Sequence, residues 1–122
     1  MSHIVTIQTQ LRDPVAIRWA CARLQIPYPV PGKHRLYSRT VEGWGVQLKG
    51  WNYPVVIDLK TGQAQFDNFE GRWGEPAELD RFTQAYAVAK ATREARRLGY
   101  SIREQTLPDG SIKLTVQTGG AA

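Results

Sequence analysis

With 122 residues, 42% hydrophobic and 22% charged, the chain can bury one core without metals or cross-links, which excludes the disordered and disulfide-stapled classes. Sixteen Lys and Arg against eleven Asp and Glu give a net charge of +5, a weak long-range attraction for polyanions, and the lone Cys21 excludes an intramolecular disulfide. No uncharged apolar run approaches the length of a membrane span, and Met1 to Gln10 lacks a cationic and apolar leader pattern, so a soluble cytoplasmic protein of one domain, 1–122, is the expectation.

Ile4 to Thr9 alternate, with Val5 and Ile7 on one face and Thr6 and Gln8 on the other, which predicts a first strand. Asp13 then offers a side-chain cap and Pro14 a preset φ, so a helix is predicted from Pro14 to Gln25 with Ala16, Ile17, Ala20, Cys21 and Leu24 on its core stripe. Trp19 projects away from that stripe. The economical expectation packs it under the neighbouring loop, and the functional one makes it a contact residue. Ile26 to Gly32 carries three alternating prolines and reads as a stiff extended connector. Four short strand-like pieces follow, Arg35–Ser38, Gly43–Leu48, Tyr53–Leu59 and Ala64–Phe66, with a turn at Lys60-Thr61-Gly62 that makes them an antiparallel meander.

Asp67 to Gly74 is too rich in glycine for a regular element and too aromatic for an idle loop. Pro76 opens a second helix, with Glu78 and Asp80 near its start and Gly99 as its stop. At 100° per residue, Leu79, Phe82, Tyr86 and Ala89 form one stripe that Lys90, Arg93 and Arg97 continue. A core-facing row thus becomes a row of charges, which must leave the core, snorkel, or meet an acidic partner. Tyr100–Leu107 and Ser111–Gln117 flank Pro108-Asp109-Gly110 as a hairpin, and Thr118–Ala122 reads as a frayed tail. The fold class is therefore α+β, in the order β-α-β-β-β-β-α-β-β, with a mainly antiparallel sheet carrying both helices on one face.

Met1-Ser2-His3-Ile4, Trp51-Asn52-Tyr53 to Asp58-Leu59, Phe82 with Tyr86-Ala87, and above all Gly99-Tyr100 through Asp109-Gly110-Ser111-Ile112-Lys113-Leu114-Thr115 are the stretches that carry a resemblance. Across nearly the whole chain it resembles a conserved uncharacterised family, the hypothetical chloroplast reading frames of cyanobacteria and plastids with their bacterial relatives. The shared motifs are turns and alternating strands, and the resemblance implies neither enzymatic activity, nor a cofactor, nor catalytic residues. By gene association it implies an accessory or adaptor role beside a MoxR-type AAA+ ATPase. The Pro27–Pro31 connector and the Phe66–Trp73 loop depart from the plastid pattern.

The chemistry-bearing residues are sparse. His3, His34 and Cys21 show no metal-ligand spacing, Cys21 sits on a core stripe, and the glycines form no phosphate-cradling signature. Asp58, Asp67 and Glu70 cluster near one end of the meander and read as solvated turn carboxylates. What remains is surface. Phe66, Phe69, Arg72 and Trp73 have the composition of a protein-binding hot spot, and the competing expectation is that their loop merely caps the core. Lys90, Arg93 and Arg97, with Trp19 or Tyr100 as stacking platforms, define a nucleic-acid-binding alternative. The sequence thus points to a non-enzymatic protein-binding module without cofactor or membrane contact, serving an AAA+ ATPase or self-assembling through edge strands.

Overall fold

The computed structural model describes residues 4–7 and 10–117. Its elements are β1 Val5–Ile7, α1 Pro14–Leu24, β2 Val30–Arg35, β3 Thr40–Val46, β4 Val55–Ile57, β5 Ala64–Phe66, a 3₁₀ turn Phe69–Gly71, α2 Pro76–Arg97, β6 Ser101–Thr106 and β7 Ile112–Gln117. This is the α+β order read from the sequence. Gln8 and Thr9 of the predicted first strand, the Met1-Ser2-His3 opening and the tail 118–122 lie outside the described residues.

Five strands form an antiparallel sheet in the order β1-β5-β4-β3-β2. Register sets its faces. Trp44 lies opposite Ile57 and Ile57 opposite Ala64, while Val46 lies opposite Val55, so these side chains share one face. Val46, Val55, Ile57 and Ala64 are fully buried there against both helices. The helices supply complementary stripes: Ala16, Ile17, Ala20 and Cys21 from α1, and Leu79, Phe82, Ala85, Tyr86 and Ala89 from α2.

Local chemistry starts and stops the helices where the sequence indicates. The Asp13 carboxylate accepts from the amides of Val15 and Ala16 and Pro14 fills the first turn, while Gln25, at φ 57°, closes α1 in the left-handed region. The Tyr86 hydroxyl fastens the segment before α1 to α2. It accepts from the Arg12 and Asp13 amides at 3.2 and 3.1 Å and donates to the Gln10 carbonyl at 2.9 Å. Gly99, at φ +80°, turns the chain out of α2.

The meander strands shift, from Gly43–Leu48 to Thr40–Val46 and from Tyr53–Leu59 to Val55–Ile57, and two further differences are larger. The predicted strand Arg35–Ser38 forms instead at Val30–Arg35, inside the proline-rich connector. Pro31 is tolerated because β2 is an edge strand, where a missing N–H breaks no ladder on the open side. The terminal hairpin does not extend the large sheet. Among the described residues β6 and β7 pair only with each other, from Ser101↔Gln117 to Thr106↔Ile112, and lean on the helices through an Arg23–Glu104 ion pair of 2.7 Å and a Gln84 amide donating to the Gly110 carbonyl at 3.3 Å.

Candidate functional site

The loop between β5 and α2 is built in two aromatic layers. The inner one is core. Phe66 is 7% exposed and Trp51 5%, their rings meet edge-on at 5.5 Å, and the Trp51 indole donates to the Glu75 carbonyl at 3.0 Å. Phe66, expected among the contact residues, therefore belongs to the interior, because it shares the helix-facing side of β5 with Ala64. Gly74 lies against Trp51 so closely that a Cβ there would be 2.4 Å from the indole ring.

Trp73 is the hub of the outer layer. Its ring lies 4.7 Å from Phe69, 5.0 Å from Tyr37 and 5.7 Å from Tyr53, and the Arg72 guanidinium sits over Phe69 at 5.2 Å. Tyr37 is 54% exposed, and Phe69, Trp73 and Tyr53 are half-buried. The sequence reading names Phe69, Arg72 and Trp73 but misses Tyr37. Tyr37 stands in the tight turn closed by the Leu36 amide on the Arg39 carbonyl, and its stacking on a residue 36 positions away is a tertiary contact with no local signature.

The backbone under this layer is strained. Phe69 and Glu70 adopt φ of 47° and 53°, consecutive non-glycine residues in the left-handed region, at a cost on the order of 1 kcal/mol or more each. The surroundings hold them there. The Trp73 and Gly71 amides both donate to the Asn68 carbonyl, the Asn68 side chain donates to the Gly74 carbonyl at 3.3 Å, and the Asn52 amide donates to the Trp73 carbonyl at 2.8 Å. Asp67, read from sequence as a solvated turn carboxylate, is fully buried: one oxygen accepts from the Phe69 amide at 3.3 Å, and the other has no partner among the described residues. It stands between the buried Phe66 and the 3₁₀ turn, out of reach of solvent. The segment expected to be irregular thus contains one brief, kinked 3₁₀ turn.

The cationic row of α2 meets acids. Lys90 and Arg93 both contact the Asp13 carboxylate, Lys90 at 3.3 Å, while Arg97 pairs with Glu94 at 2.9 Å. Burial pushes the Asp13 carboxyl up, but the Ala16 amide, the Lys90 ammonium and the Arg93 guanidinium outweigh it and hold the group below its ordinary 3.8. The residue that caps α1 is therefore also the counter-ion of α2. Trp19 is 41% exposed and is not covered by the loop expected to shelter it; it lies alongside α2, with the Arg96 guanidinium 6.0 Å from its ring.

Burial raises the Cys21 thiol to about 11, which fits the packing role read for it and leaves little thiolate at neutral pH. His34 directs Nε2 to the Val30 carbonyl at 2.6 Å. Among the described residues no three His, Cys, Asp or Glu side chains gather as a metal cage requires, and no helix is long and apolar enough to cross a membrane. No family model, curated protein or solved structure matches the chain.

Proposed function

We propose that this protein is a non-enzymatic binding module whose docking surface for another protein is the Trp73-centred aromatic layer. The observation that carries this reading is the stacking of Phe69, Tyr37 and Tyr53 around a half-buried Trp73, with Arg72 at the rim, on a loop held in a costly backbone conformation. Trp, Tyr and Arg dominate the few residues that carry interface energy, and rings fixed before contact lose little entropy on docking. Strain persists only where the fold over-determines it, and such positions cluster at contact sites.

A protein partner is favoured over nucleic acid because Lys90, Arg93 and Arg97 are each committed to Asp13 or Glu94, so the row offers phosphates less free charge than the sequence alone implies. The partner class is the one implied by the family resemblance, a MoxR-type AAA+ ATPase in the cytoplasm. A second copy docking along an edge strand is the rival occupant. The double substitution Trp73→Ala with Phe69→Ala is expected to weaken docking by about 2 kcal/mol, roughly 30-fold, while circular dichroism shows the fold retained. Affinity purification from the native host and light scattering check it: unchanged partners and unchanged oligomeric state in that variant would overturn the reading.

A further inference from the structure

At one edge of the sheet, β2 presents an unpaired backbone. The Leu36 amide donates to the Arg39 carbonyl at 2.8 Å, which makes these two residues a hydrogen-bonded pair at the end of the β2–β3 hairpin. Such pairs alternate with non-hydrogen-bonded ones along an antiparallel ladder, so His34↔Val41, Gly32↔Gly43 and Val30↔Gly45 are the positions whose N–H and C=O groups face each other. Pro31, Lys33 and Arg35 then turn their backbone groups to the open side, where no strand pairs with β2 among the described residues. Pro31 offers only a carbonyl there, while Lys33 and Arg35 each offer an N–H and a C=O. Their side chains carry the second observation. Both are exposed, lie on one face of the strand, and have no carboxylate at ion-pairing distance among the described residues, although Glu42 stands opposite Lys33 in register. From 25 to 57 the chain holds four cations, Lys33, Arg35, Arg39 and Lys49, against the single acid Glu42, so this stretch carries +3 of the total +5.

We infer that the open edge of β2 takes up an extended acidic segment of another protein as a sixth, antiparallel strand. Residues of that segment opposite Lys33 and Arg35 exchange both backbone hydrogen bonds with them and set carboxylates beside the ammonium and the guanidinium. A second copy of this chain fits the edge poorly. Two β2 strands paired about a two-fold axis would oppose Lys33 and Arg35 to Lys33 and Arg35, and like charges directly opposite are destabilising. Proline and cations on an edge strand blunt it against chance pairing, and here they leave opposite charge as the way in. A nucleic acid would meet the cations but has no amide backbone with which to complete the ladder. The edge shares no side chain with the Trp73 layer, and its test is independent of that surface.

Fluorescence anisotropy of a labelled acetyl-Thr-Glu-Val-Glu-Val-Thr-amide peptide, titrated with the full chain at about 0.15 M salt, tests this directly. The two glutamates match the two-residue spacing of Lys33 and Arg35. Saturable binding is expected, with the peptide carrying Lys in place of both Glu roughly tenfold weaker or more. Methylating the two Glu amides, which face β2, is expected to weaken binding by roughly tenfold or more, whereas methylating the two Val amides, which face away, changes it little. Lys33→Gln with Arg35→Gln, both at exposed positions, is expected to weaken binding by roughly tenfold and to leave the fold intact. Hydrogen exchange of the Lys33 and Arg35 amides should slow on saturation with the peptide. No saturable binding, equal binding of the two methylated peptides, or an unchanged affinity in the double variant would each overturn the inference. So would slow exchange of those two amides in the peptide-free chain at concentrations where light scattering shows a dimer, a result that gives the edge to a second copy.

Discussion

Gly74→Ala is expected to lower the unfolding free energy by about 2–3 kcal/mol, a large effect for adding one methyl group. The added Cβ would stand 2.4 Å from the Trp51 ring, a distance that requires the indole to move. Trp51 has nowhere inexpensive to go. It is 5% exposed, edge-on to Phe66 at 5.5 Å and bonded to the Glu75 carbonyl at 3.0 Å, so displacing it disturbs the core and the start of α2 together. Because the Trp73 carbonyl next in the chain accepts from the Asn52 amide, the outer aromatic layer shifts with it, and the variant should also dock more weakly. Urea unfolding measures the first effect. A midpoint equal to the parent's would show that the indole can turn aside freely and that Gly74 is not required by packing.

Asp13→Ala is expected to cost about 2 kcal/mol, and Asp13→Asn clearly less. Alanine removes the cap that receives the Val15 and Ala16 amides, an effect of about 1 kcal/mol, and also the anion facing Lys90 and Arg93. Those cations are 46% and 37% exposed, so solvent screens their attraction and each pair contributes a few tenths of a kcal/mol up to about 1 kcal/mol. Asparagine keeps the cap and loses only the charge, which makes the difference between the two variants a measure of the cap itself. The pH dependence follows from the lowered carboxyl. The stability it supplies is complete above the ordinary value of 3.8 and is lost as the pH falls through the lower folded value. The gap between parent and Asp13→Asn should therefore close on acidification below about pH 4 in thermal or urea unfolding. A gap that stays constant down to pH 2 would show that the ion pairs contribute nothing.

Local signals explain what could be read in advance. Asp13-Pro14, Gly62, Gly99 and Pro108-Asp109-Gly110 each act within a few residues, and the elements they bound occur in the predicted order. Long-range pairing explains what could not. Nothing within a few residues of Asp13 announces partners 77 and 80 positions away, and the charged continuation of the α2 stripe left an acidic partner as one of three outcomes beside leaving the core or snorkelling. Likewise, alternating prolines argue against a strand, and only the position of β2 at the sheet edge makes Pro31 admissible. For the aromatic layer, the composition of 66–73 marks the loop but not which of its rings face inward. Strand alternation sends Phe66 inward, the kink at Phe69 and Glu70 turns Phe69 and Trp73 outward, and Tyr37 arrives from a distant turn.

The isolation of β6 and β7 as their own ribbon has a thermodynamic corollary. A lone antiparallel pair is marginal in water, so this one persists by leaning on α2, and it can detach as a unit without disturbing the five-stranded core. Detachment would carry Glu104 away from Arg23 and uncover the side of α2 that the ribbon leans on. Anything that bridges Trp19 and the ribbon therefore works as a latch, turning its own affinity into a longer closed lifetime for the C-terminal hairpin.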